Sequence, residues 1–407
     1  MQGIEVTTNF IYSKETNMLK ISSLIVIALL FFSFTVRAAS TQEQIEITHP
    51  KFKEPLVFNI SLPSGYAQNK DKSYVMMFDF HPNSNTYLTG MHDWMSHNGE
   101  WPWLQTIMVT PEMGNRVGML FDATGETTPL LDFFETELIP EVDKKYRTNG
   151  FRIMSGFRVN GSIVLSALIN KPSIFNAYIA TSPELKDNYA GILATAHKKL
   201  PKLTDKPRFL LLSHGTNVKE EHQVADYQQL NSALLKHAPE QLDWHYKHFN
   251  DHYFMSLPLV SVIMAIEKVF DDIHRGLPPE SKVSQAGVES IVKHYRYLSE
   301  HKYGFEVSPK PSIKALGSHL LEHSPLDGVK VFKEMIKRYP NDAYSHHYLA
   351  SAYASLGDYS RAVKHQKDAV ALADSMLTWH KNRHRKFLEG YLSKSTEGNN
   401  RKVAAGS

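Results

Sequence analysis

The chain has 407 residues, 42% of them hydrophobic and 11% aromatic, enough to bury a sizeable core and to divide into two or three domains. Its 45 basic and 42 acidic residues are interspersed and leave a formal charge of +3, which excludes the one-signed footprint of a nucleic-acid or membrane-surface binder. It has no cysteine, so disulfides, thiolate metal sites and lipid-anchored thiols are excluded too.

The first element reads as an export signal. Met18-Leu19-Lys20 precedes the apolar run Ile21 to Val36, and Arg37-Ala38-Ala39-Ser40 then supplies small residues, the order of a signal peptide cleaved near Ala38 or Ala39. The run is short for a membrane span and ends at a charge. Residues 1–39 are therefore expected to be removed, with Met18 as the initiator, leaving a periplasmic or secreted chain with no stable membrane span.

Short apolar runs then alternate with amphipathic ones. Ser73–Phe80, Thr106–Thr110, Phe151–Ser155, Ala177–Thr181, Arg208–Ser213 and Trp244–Phe249 read as strands. Between them, Leu131, Phe134, Leu138 and Val142 share one helical face, and a helix opens straight after Gly161. The alternation predicts an α/β fold with a mostly parallel sheet covered on both sides, over residues 40–275.

After about Phe270 only helices are predicted. Residues 276–310 read as a helical linker, 311–394 as a helical module and 395–407 as a disordered tail. Within Ala343–Ala373, the residues Leu349, Tyr353, Gly357, Tyr359, Ala362 and Ala369 fall at the offsets of a 34-residue tetratricopeptide repeat. Phe332 and Pro340 mark a weaker unit one period upstream, and Leu377 to Leu392 would cap the stack. So few repeats need neighbours to bury their faces, so the module should lean on the α/β domain or on a partner.

Gly156-Phe157-Arg158-Val159-Asn160-Gly161, between a strand and a helix, has the layout of the turn that presents a hydrolase nucleophile. With the phrases EPLVFNISLPSGY, ELIPEVDKKYRTNGFRI, KPSIFNAYIATSPEL and NDHYFMSLPLVSVIMAIEKVF, it makes residues 44–270 resemble the esterase family of α/β-hydrolases that includes enterobactin-type esterases and esterase D-like carboxylesterases. The resemblance implies a serine at position 158 in a Gly-His-Ser-x-Gly-Gly turn, but the residue is Arg158, whose guanidinium stays protonated and cannot attack a carbonyl. Asn160 replaces a glycine of that turn. The family's oxyanion hole implies the backbone N–H groups of Val159 and Phe80, the latter in place of a glycine after Asp79. Phe80 should then crowd the pocket mouth. The acid falls on Asn217 or Glu220, and the general base on His252. Arg116 is what remains of an arginine-rich substrate loop.

Two uses of Arg158 are expected. It pairs with Asp79 and plugs the old site, or with Arg116 and His252 it binds an anion in a pocket ringed by Trp101 and Trp103. His252 should form a hydrogen bond or ion pair within the remodelled cleft. Ser155 and Ser162 flank the turn but belong to a strand end and a helix cap. His380 and His384, one turn apart, read as a solvated face rather than metal ligands, and His245 and His248 lie on opposite faces of a strand. No metal or other cofactor is expected. The sequence therefore predicts an exported, non-catalytic binder of a small anion or of a protein partner held by the helical repeats. Its alternatives are an active hydrolase of acyl or siderophore-type esters with a displaced nucleophile, and a pure adaptor.

Overall fold

A computed structural model describes residues 40–97, 102–125 and 128–405. The expected signal segment and Trp101 lie outside the described residues. In chain order come β1 (Thr41–Ile47), β2 (Leu56–Leu62), β3 (Tyr74–Asp79), α1 (Ser84–His97) and β4 (Thr106–Pro111). A continuous helical stretch follows, made of α2 (Thr128–Phe133), a π turn (Phe134–Leu138) and α3 (Ile139–Lys145). Pro140 has no N–H to donate one turn back, and the coil widens just before it. Then come β5 (Thr148–Phe157), α4 (Val159–Asn170), β6 (Ala177–Thr181), α5 (Ile192–Lys199), β7 (Arg208–Gly215), α6 (Val224–His237), β8 (Leu242–Phe249) and α7 (Leu257–Val269).

The eight strands form one sheet in the order β1-β2-β4-β3-β5-β6-β7-β8. The first three are joined antiparallel and the rest parallel. The central strands are buried throughout, because helices cover both faces and apolar side chains serve on each. Tyr74, Met76 and Phe78 point into one core with α2 to α6, while Val75 and Met77 point into the other with α1 and α7. All six predicted strands are present. The two unpredicted ones lie at the N-terminal side, where the edge strand TQEQIEI buries only Ile45 and Ile47.

The chain then continues in helices only: α8 (Asp271–His274), α9 (Lys282–Gln285), α10 (Val288–Tyr297), α11 (Lys310–His323), α12 (Pro325–Arg338), α13 (Ala343–Ser355), α14 (Tyr359–Leu372) and α15 (Thr378–Ala405). Helices α11 and α12 pack as a pair, α13 and α14 as a second, and α15 lies against α14. Gly317 permits the first pairing, since a Cβ there would stand 2.6 Å from the Phe332 ring. Asp342 and Asp358 cap α13 and α14 through the N–H groups of Ser345 (2.8 Å) and Arg361 (3.0 Å). The last helix runs to Ala405, where a disordered tail was expected from 395.

The helical part shares the second core of the sheet. Phe151 of β5 lies 5.8 Å from Phe270 and 5.5 Å from Tyr303, whose hydroxyl donates to the Val269 carbonyl at 2.8 Å. Tyr295, Leu298 and Val307, from the expected linker, are buried in that core with Ile313, Leu316 and Phe332. The module leans on the α/β part through this aromatic seam. Among the described residues no helix is long and apolar enough to cross a membrane.

Candidate functional site

Parallel strands bring Asp79, Phe157, Thr181, Gly215 and Phe249 to one edge of the sheet, and the loops after them meet there. The centre of that edge is the turn between β5 and α4. Arg158 takes φ 58° and ψ −124°, a region left almost entirely to glycine, at a cost of about 1–3 kcal/mol. Its N–H donates to the Thr181 carbonyl at 3.0 Å. A Cβ on Gly156 would stand 2.4 Å from the Asn160 carbonyl oxygen, and one on Gly161 3.0 Å from that of Thr181. The strand-to-helix turn is therefore sharp and strained, with a closely packed glycine on either side of an arginine.

The Arg158 side chain points outward. It is exposed, with its guanidinium carbon 5.9 Å from the centre of the Phe254 ring, and Lys219 Nζ stands 5.2 Å from the same ring. No described carboxylate pairs with either cation. The expected bridge to Asp79 is absent, because Asp79 is buried and satisfied from within: Ser155 Oγ and the His81 N–H (2.9 Å) donate to it. Burial raises the pKa of its carboxyl, and those hydrogen bonds pull it back only in part.

Phe80 does not crowd a pocket mouth. It turns into the core, edge-on to Phe78 at 5.1 Å and to Phe134 at 5.5 Å, where apolar burial outweighs exposure at the rim. Val159 opens α4 and is exposed. Arg116 lies on the loop after β4, its guanidinium over Phe52 at 5.6 Å rather than beside Arg158. Trp103 is fully buried against His92 and rings no pocket.

The acid and base positions are also apart. Glu220 is buried, and its carboxylate accepts from Ser182 Oγ at 2.6 Å, from the Gly215 N–H at 2.9 Å and from Asn217 Nδ2. Both candidates for the acid thus bond each other and tie the loops after β6 and β7 together. His252 is exposed and edge-on to Phe249 at 5.3 Å; it forms no hydrogen bond or ion pair with the described residues, against the expectation. The flanking serines are committed as donors, Ser155 to Asp79 and Ser162 to the Glu184 carbonyl at 2.6 Å. Ser162 thus reaches across to the β6 loop rather than capping its own helix.

Sequence reasoning did not single out Lys219, Phe254 or Ser182. All three follow a strand at the carboxyl edge, where α/β sheets place their ligands, and that rule was the available signal. Tyr253, Met255 and Val218 stand 89%, 70% and 75% exposed beside them, giving this edge an apolar and cationic surface. In β8, His245 meets Asp243 at 3.1 Å while His248 stacks on the buried His214, so the two do not converge. In the last helix His384 is buried, not solvated: it lies 4.8 Å from Tyr344 and 5.3 Å from His347, because this face of α15 covers α13 and α14.

No family model matches the chain. The ferri-bacillibactin esterase BesA of Bacillus subtilis (strain 168) is 36% identical over 86 residues, which take in 20% of this chain and 30% of that one. The chain thus spans less than a third of the length of that relative. The structure of an IroE-like serine hydrolase from Shewanella oneidensis superposes with a TM-score of 0.57 at 18% identity, covering 74% of this chain and 100% of the other. That of an uncharacterised protein from Capnocytophaga ochracea gives 0.60 at 14% identity, with 87% and 100% covered. Both matches extend beyond the α/β part into the helical extension. The chain has the α/β-hydrolase fold, and its similar proteins include a ferri-bacillibactin esterase.

Proposed function

From an α/β-hydrolase fold with esterases among its relatives, we propose that this chain is an exported, non-catalytic binding protein that takes an anionic ligand at the carboxyl edge of its sheet. The observation that carries the reading is the elbow: a strained backbone of the kind that presents a nucleophile presents instead an exposed, unpaired guanidinium above an aromatic ring. Arg158 and Lys219 both stand near Phe254, so a carboxylate or phosphate would pair with one or both cations while an apolar or aromatic body lies on Phe254. Of the four ligand candidates read from the sequence, Arg158 keeps its place at this surface, His252 borders it, and Asp79 and Arg116 fall outside it. The α13–α14 pair carries the tetratricopeptide spacing, which supports a protein partner on the helical side.

The competing reading is a hydrolase with a displaced nucleophile, favoured by the esterase names. Against it, the hydroxyls of Ser155, Ser162 and Ser182 are all held by carboxylate or carbonyl oxygens, and no described carboxylate orients His252.

The test uses the purified full chain, with benzoate and inorganic phosphate as probes in calorimetry and a fluorophosphonate in intact-mass analysis. Binding that weakens about tenfold in Arg158→Ala, with no covalent adduct, supports the proposal. An adduct on the natural chain that is lost in His252→Ala overturns it.

A further inference from the structure

The helical extension brings together three groups that the esterase-like site does not use. His346 on α13, and His365 and Asp368 on α14, hold ligand atoms that all lie within 4.8 Å of one another. Asp368 Oδ2 stands 3.6 Å from His346 Nδ1 and 4.0 Å from His365 Nδ1. Both nitrogens are buried from solvent without a hydrogen-bond partner.

Its partners make this arrangement pointed. His346 Nε2 lies 2.9 Å from the Pro340 carbonyl, which can only accept, so Nε2 donates there and Nδ1 is left facing the Asp368 carboxylate. Two imidazole nitrogens without hydrogen-bond partners and a carboxylate oxygen thus converge on one point, the donor set of a metal ion. Around a tetrahedral ion bound at about 2.0–2.1 Å, ligand atoms sit about 3.4 Å apart, so the two spacings to Asp368, 3.6 and 4.0 Å, need only slight closure, and the two imidazoles, within 4.8 Å, must draw together by rotation about their side-chain bonds. The Pro340 carbonyl is the outer partner that metal-binding imidazoles usually have, and Tyr353, stacked 5.7 Å from His365, fixes the plane of the second ring.

We infer that His346, His365 and Asp368 form a binding site for a divalent transition metal of the zinc class, with a fourth position left to water. Two imidazoles and one carboxylate select such ions over magnesium or calcium. Asp368 is half-exposed, which gives the ion a way in. Lys333 and Lys364 also act on His365 and oppose a cation, so Asp368 is the group that offsets them. Because the ligands come from both helices of the pair, the ion would staple α13 to α14.

The experiment titrates the EDTA-stripped full chain with Co2+ and follows its visible ligand-field absorption, then adds Zn2+. One equivalent of Co2+ giving four-coordinate bands, bleached by Zn2+, is expected. His346→Gln, His365→Gln and the near-isosteric Asp368→Asn should each weaken binding about tenfold or more, with circular dichroism unchanged. The neighbouring pair His319 and His323, replaced together by Gln, should leave the bands intact. Absence of the bands at one equivalent, or bands that survive the three substitutions, overturns the site.

Discussion

The carboxyl edge of the sheet and the seam between α13 and α14 behave in opposite ways. At the edge, residues expected to converge are apart: Arg158 faces outward, Glu220 is turned to Ser182 and Gly215, and His252 stands exposed. At the seam, histidines with no motif between them meet an aspartate. The shape of the elbow backbone rests on two glycines and one strained residue. The seam needs no special backbone and draws on the regular spacing of paired helices.

The strongest way to break this contrast is at Gly156. Its missing Cβ space is bounded by the Asn160 backbone, which cannot rotate away, so Gly156→Ala should cost about 3 kcal/mol in urea unfolding. A loss under half of that would mean that the elbow is soft and its strain is not imposed by the fold.

On the seam side, His384 is buried, its Nε2 has no partner, and burial first, then the neighbouring His347, His380 and Arg383, lower its pKa from 6.5 to about 4. A histidine depressed on folding stabilises the fold fully above its unfolded pKa, and that contribution is lost as pH falls through the folded value. The urea midpoint should therefore drop between pH 6.5 and about 4, by roughly 2 kcal/mol from this group, and the drop should flatten in His384→Gln. An unchanged slope in the variant would assign the acid sensitivity elsewhere.

The smallest effect has the opposite sign. Glycine adopts φ 58° and ψ −124° without strain, so Arg158→Gly should stabilise the chain by about 1 kcal/mol while removing the anion-binding cation. A destabilised variant would show that the guanidinium holds the edge together, as a structural residue would.

Much of the scaffold was legible in the sequence, for reasons that also mark where legibility ends. Strands buried on both faces give unbroken apolar runs such as Arg208–Ser213, and the glycine spacing at 156 and 161 announced the elbow. β1 and β2 were missed because they pair antiparallel on one side of the sheet, and in β1 only Ile45 and Ile47 are buried. Side-chain direction was not legible. Phe80 could go to the rim or the core, and the aromatic cluster of Phe78 and Phe134 decided it. Glu220 could reach a histidine or Ser182, and the closeness of the β6 and β7 loops decided that. His346 and His365 are 19 positions apart, and their meeting depends on the register of two helices.

The aromatic seam of Phe151, Phe270 and Tyr303 also governs how the molecule is made. During synthesis the sheet emerges with this face covered by α1 and α7 alone, and the rest of its cover is translated only afterwards, as residues 288–335 leave the ribosome. Until then the nascent chain carries an open apolar strip around Phe151 and Phe270, so its two halves mature as one unit, and a protein truncated before α10 would expose that strip to chaperones or proteases.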